Sequence, residues 1–186
     1  MINILLIPLT RAFIMDFIDY IANKLSKIFT RSIGKEVAVS VWPTPEKLPM
    51  KCFNWDRIQF ESSCVINWLY KRFQEYTKHY IVTGVGYIDG YVNGYNFIFG
   101  EAAPYMKVCV VYTKRLSPMF YGQEMDYNLY VTRIIKEITH EIGHVLGLGH
   151  CNNRECVMSF SNSIYEVDAK TYYFCNNCLT KIRVNQ

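Results

Sequence analysis

His140-Glu141-Ile142-Gly143-His144-Val145-Leu146-Gly147-Leu148-Gly149-His150-Cys151 holds three of the chain's four histidines, and the reading of the fold turns on it. Four residues advance a helix by about 6 Å and about 400°, so His140 and His144 stand one turn apart on nearly the same face, able to share one ion. Glu141 comes round beside them. Gly147 suits a helix end, because a residue without Cβ enters the left-handed region at little cost, and the turn brings His150 back as a third ligand. Three neutral imidazoles with no sulfur suit zinc and leave a fourth position for water, an arrangement of catalytic rather than structural sites. Glu141, the acidic residue inside the motif, is placed to take a proton from such a water.

Upstream, Val131, Ile134, Ile135, Ile138, Ile142 and Val145 recur at helical spacing, which predicts a helix over 128–146. At 100° per residue His140 and His144 point away from that stripe, so one face packs on a sheet and the other floors a cleft. Further back, apolar runs at 2–7, 37–42, 80–85, 95–100 and 107–113 read as strands. A helix over 11–31 is carried by Phe13, Ile14, Phe17, Ile18, Ile21, Leu25 and Ile28, and a second over 64–73 by Ile66, Leu69, Tyr70 and Phe73. The proline-containing stretch up to residue 56 reads as loop. Strands alternating with helices predict an α/β fold with a mostly parallel sheet.

Seven cysteines are an odd number for a disulfide framework. Cys52, Cys64 and Cys109 read as isolated buried thiols. The C-x4-C pair Cys151 and Cys156 and the C-x2-C pair Cys175 and Cys178 read as metal thiolates in a reducing cytoplasm. A formal charge of +4 without a basic run argues against a nucleic-acid partner. No stretch has the 18 or so uninterrupted apolar residues of a membrane span. The apolar residues 2–9 lack a preceding basic region, so they do not read as a secretory signal. With 15 Tyr and 11 Phe, core and cleft walls should be rich in rings.

After the third histidine the chain continues C-N-N-R-E-C-V-M-S-F-S-N-S, then V-D-A-K and F-C-N-N-C, and G-Y-N-F-I-F-G-E-A precedes it at 94–102. Together these resemble the archaemetzincin family of the metzincin clan of zinc peptidases. The resemblance implies two zinc ions per chain. One is catalytic, on His140, His144 and His150 with Glu141 as general base and acid, and one is structural, on Cys151, Cys156, Cys175 and Cys178. It implies that Met158 sits in a turn beneath the histidines. Where some metzincins have a tyrosine two residues after that methionine, this chain has Phe160.

It also implies a fold of one domain, 1–186: a mixed, mostly parallel twisted sheet with one antiparallel edge strand at 94–101, a long active-site helix, and a short C-terminal subdomain braced by the four cysteines. The upper subdomain would span 1–147 and the lower 148–186. The expected activity is hydrolysis of a peptide or protein substrate, the alternative being a zinc-stabilised peptide-binding protein with little turnover. Nothing in the pattern speaks to oligomeric state.

Overall fold

A computed structural model describes residues 2–12 and 14–184 of the chain. Five strands make the main sheet: β1 (Asn3–Pro8), β2 (Ala38–Val41), β5 (Tyr80–Gly86), β7 (Gly100–Ala103) and β8 (Val108–Tyr112), in the order β2-β1-β5-β8-β7. The first four run parallel and β7 pairs antiparallel with β8. Alternation along β1 sends Ile4 and Leu6 to one face and Leu5 and Ile7 to the other, and β8 divides likewise between Cys109 and Val111 and Val108 and Val110. The first face is covered by α1 (Ile18–Ile33) and α3 (Tyr127–Val145), the second by α2 (Ser62–Phe73). Both faces being covered explains why these strands read as continuous apolar runs.

Four expectations are corrected. α1 begins at Ile18 rather than at residue 11; Ile14 to Phe17 enter through separate turns, although Ile14, Ile18, Ile21, Leu25 and Ile28 are all buried as the periodicity requires. Phe13 lies outside the described residues. The stretch read as loop carries β3 (Phe53–Asn54), which with β4 (Gln59–Glu61) and β6 (Gly90–Tyr91) forms a second sheet whose two- and three-residue strands are too short to show a period. Cys52 and Cys64 are joined in a disulfide rather than free, whereas Cys109 is a buried thiol as expected.

The edge strand starts at Gly100, not at residue 94. Upstream of it, side chains have taken the backbone groups a strand would use: Arg57 donates to the carbonyls of Tyr95 and Asn96, and Gln59 to that of Asn96. Arg115, held on Asp89, lies against the Phe97 ring. The segment 95–99 is therefore a braced wall rather than a strand.

Beyond α3 the chain forms α4 (Ile164–Ala169) and α5 (Asn176–Val184), whose buried Ile164, Val167, Cys178 and Ile182 join the core beneath α1 and α3. Among the described residues no helix is long and apolar enough to cross a membrane.

Candidate metal centre and cleft

α3 begins where Asp126 accepts a hydrogen bond from the Leu129 N–H at 2.9 Å, a side-chain cap on a helix whose inner stripe is Tyr130, Ile134, Ile138 and Ile142. It ends as Gly147 takes φ +88°, with the Leu148 N–H donating back to Gly143 O at 3.0 Å. That left-handed residue reverses the chain and brings His150 over the helix. The His140 and His144 rings are 4.6 Å apart, and His150 lies 5.4 and 4.9 Å from them.

His140 Nδ1 is 2.7 Å from Val157 O and His144 Nδ1 is 2.8 Å from Leu148 O, so each Nδ1 carries the proton and donates it. Both Nε2 atoms are then bare lone pairs, yet they face each other at 3.0 Å. A cation between them would satisfy both acceptors. One ligand atom from each of His140, His144 and His150 lies within 4.8 Å of the others. Tetrahedral zinc with N–Zn bonds near 2.05 Å separates its nitrogens by about 3.3 Å, so the donor set fits zinc. Burial holds the His140 and His144 pKa values below the ordinary imidazole range, with Lys170 adding to the effect, and His150 is shifted the same way. The rings stay neutral, as ligands must.

Glu141 is buried beside them, and burial raises its carboxyl well above the usual range, with Glu137 and Glu101 adding to the shift. It faces Gly100 on the edge strand: a Cβ there would lie 2.5 Å from Glu141 Oε1. The cleft between β7 and the helix encloses about 720 Å³, counting its open mouth, with Phe97, Phe99 and Phe160 among its walls. Phe160 stands 5.0 Å from the His150 ring. A separate, shallower depression shares Ala102 and His144 with the cleft and is also lined by Pro104 and Tyr105.

The four later cysteines also converge. Cys151 Sγ is 3.7 Å from Cys175 Sγ and Cys156 Sγ is 3.7 Å from Cys178 Sγ, and all four sulfurs lie within 4.8 Å. That spacing is too long for a disulfide, near 2.05 Å, and matches the roughly 3.8 Å between thiolates on tetrahedral zinc. Met158 is fully buried under α3, where a Cβ on Gly143 would meet its Sδ at 2.3 Å. Its carbonyl accepts from the Cys151 N–H at 2.8 Å, which ties the turn to the residue after His150.

Every residue singled out in the motif thus sits in one of these two groups or next to them. Sequence reasoning missed the polar row that continues down α3: Arg133, Lys136 and Glu137 are buried, not solvated. Arg133 makes two bonds to Asp168 at 2.7 and 2.6 Å, and Lys136 donates to the carbonyls of Val167 and Asp168. Glu137 pairs with Lys170 at 2.9 Å. The available signal was their spacing, three, four and seven residues before His140 on the ligand-bearing side.

An imidazole group with this donor geometry, beside a buried carboxylate and an open cleft, is the arrangement of a zinc metallopeptidase. The family model described as Peptidase family M54 matches residues 11–184. Curated archaemetzincins from Saccharolobus islandicus and Saccharolobus solfataricus are 38% and 40% identical over 167 residues, covering 90% of this chain and 86% of theirs. The archaemetzincin of Sulfolobus acidocaldarius is 42% identical over 138 residues, 74% of this chain and 76% of its own. The crystal structure of archaemetzincin from Methanopyrus kandleri superposes with a TM-score of 0.83 at 32% identity, covering 99% of this chain and 94% of that one. That from Archaeoglobus fulgidus, complexed with malonate, gives 0.78 at 36% identity, covering 96% and 99%. The chain belongs to peptidase family M54, the archaemetzincins, and is a zinc metallopeptidase.

Proposed function

We propose that the chain hydrolyses peptide bonds at a zinc ion held by His140, His144 and His150, with Glu141 as general base and then general acid. The observation that carries this is the pair of bare Nε2 atoms facing each other at 3.0 Å, each fixed by a backbone acceptor on its other nitrogen. Zinc, when bound, supplies a Lewis acid that polarises a carbonyl and acidifies water. Glu141 accepts the proton of the attacking water and returns it to the departing amine, so water is consumed and one acid and one amine are released. Burial, which stabilises its neutral form, makes it a stronger base toward that proton than a free carboxylate would be.

β7 supports the substrate. It ends the sheet order, so its outer edge is open to an extended peptide adding as an antiparallel strand at 100–103, with the wall 95–99 above it. Phe160 offers the cleft a ring face but no phenol, so proton transfer falls to Glu141 alone. We assign the second zinc to Cys151, Cys156, Cys175 and Cys178, a closed set with no position for substrate and therefore structural. Placement in the metzincin clan, and the division at residue 147 into upper and lower subdomains, belong to the same reading. A cytoplasmic site of action now rests on the four-thiol group, since the Cys52–Cys64 disulfide removes the argument from cysteine number.

A peptide-library cleavage profile of the zinc-loaded protein beside its Glu141→Gln variant tests the proposal, with elemental analysis expected to find two zinc atoms per chain. The variant should keep both metals and lose about 10² to 10⁴ in kcat. Peptide binding without cleavage in the wild type would instead leave a zinc-stabilised peptide-binding protein.

A further inference from the structure

From the buried ion pair under the cleft we infer that Lys170 is a positioning residue for the three-histidine site, acting through Glu137 and the backbone of Ser159. The inference rests on the zinc reading above for what the site holds. It does not rest on the reaction.

Lys170 Nζ lies 2.9 Å from Glu137 Oε1, and the two side chains are 1% and 4% exposed. The same ammonium donates to Ser159 O at 3.3 Å. It therefore spans two pieces of the site. Glu137 belongs to the helix that carries His140 and His144, less than one turn before the first of them. Ser159 belongs to the turn whose Val157 carbonyl fixes the His140 ring, whose Met158 packs under Gly143, and whose Phe160 stands against His150.

A structural need alone does not explain the charge. Burying an ammonium and a carboxylate costs several kcal/mol per ion, and apolar residues of similar size often replace such pairs without loss of stability. Nor is Lys170 required to dock its own segment. Arg133 already holds Asp168 through two bonds, and Lys136 holds the carbonyls of Val167 and Asp168. What remains for the Lys170 side chain is the register between the helix and the turn. Acceptors on ligating histidines set ring orientation, and their loss lowers metal affinity by about 10- to 100-fold.

The test uses the zinc-loaded full chain as wild type, as Lys170→Met, and as the double variant Lys170→Met with Glu137→Gln. Thermal melting, zinc release to a graded chelator, and peptide hydrolysis are measured on each. The single variant leaves a buried carboxylate without its cation and should melt well below the wild type. The double variant removes both charges and should regain most of that loss. It should nevertheless bind the histidine-site zinc about 10- to 100-fold more weakly, with the four-cysteine zinc unchanged and kcat reduced at unchanged KM. Wild-type affinity at the histidine site in the double variant overturns the inference, because the pair would then serve stability alone. Should the double variant fail to fold, Lys170→Gln keeps a donor without the charge. Weaker histidine-site zinc there supports the inference and unchanged affinity overturns it. If the wild type cleaves nothing, the peptidase reading fails while the zinc-release arm still decides the role of Lys170.

Discussion

Gly100 decides where the Glu141 carboxylate can be. Any side chain at that position starts with a Cβ 2.5 Å from Oε1 and 2.6 Å from Cγ of Glu141, and the edge-strand backbone behind it is pinned to β8. Gly100→Ala should therefore push Glu141 off its position rather than move the strand. We expect zinc content to stay at the wild-type level, stability to fall by about 1 to 3 kcal/mol, and kcat to fall by roughly 10²; single-turnover hydrolysis beside a melting curve measures both. A second expectation concerns protons. A depressed imidazole pKa means that protons begin to compete for His140 and His144 only below the ordinary value of about 6.5. Stability and metal binding that depend on the neutral rings are thus present above that pH and lost as pH falls through the lower folded-state values. Zinc content after dialysis across a pH series should show its midpoint for the histidine site below about 6.5; loss complete at neutral pH would contradict it.

At the scale of elements, α3 and the turn that follows Cys156 behave as two halves of one device. His150 and Cys151 are adjacent in the chain, and the Cys151 N–H is bonded to Met158 O, so the four-cysteine group holds the third histidine and the methionine turn from below. Cys151→Ser or Cys178→Ser should accordingly loosen both metals. Chelator titration is expected to release the histidine-site zinc earlier in either variant, and full histidine-site affinity in both would show the two centres to be independent. The contact between α3 and the turn is equally direct. Gly143→Ala would place a methyl 2.3 Å from Met158 Sδ and 3.1 Å from a Phe174 ring carbon, both in a buried layer. A loss of about 1 to 3 kcal/mol by denaturant melting is expected.

Over the whole molecule, the sheet separates two cores. Metal centre, α1, α3 and the C-terminal helices share one, and α2 with the disulfide-closed hairpin shares the other. The Cys52–Cys64 bond encloses a short loop that carries β3 and β4, from which Arg57 and Gln59 reach the cleft wall. Replacing both cysteines by Ala should lower stability by about 2 to 3 kcal/mol, or roughly 4 to 12 °C in Tm, while zinc stoichiometry stays at the wild-type value. Differential scanning calorimetry with metal analysis on the same sample measures both.

The two groups of candidate ligands that the fold brings together were readable from spacing because their geometry is local: i, i+4 on a helix, a glycine to reverse the chain, and pairs of cysteines with four and two residues between them. The apolar periods of α1 and α3 were readable because one face of each is buried along its length, and β1, β5 and β8 were readable as continuous apolar runs because both of their faces are covered. Arg133 and Glu137 drew no reading, since nothing in their spacing says that a segment some 30 residues later will cover them or that its Lys170 will be buried against Glu137. The start of β7 at Gly100, the Cys52–Cys64 bond and the space left for Glu141 likewise depend on which distant groups meet. The spacing of candidate ligands and the helix face follow from near neighbours along the backbone, whereas burial of charge and the register of the cleft follow from packing between elements, which only the folded chain decides.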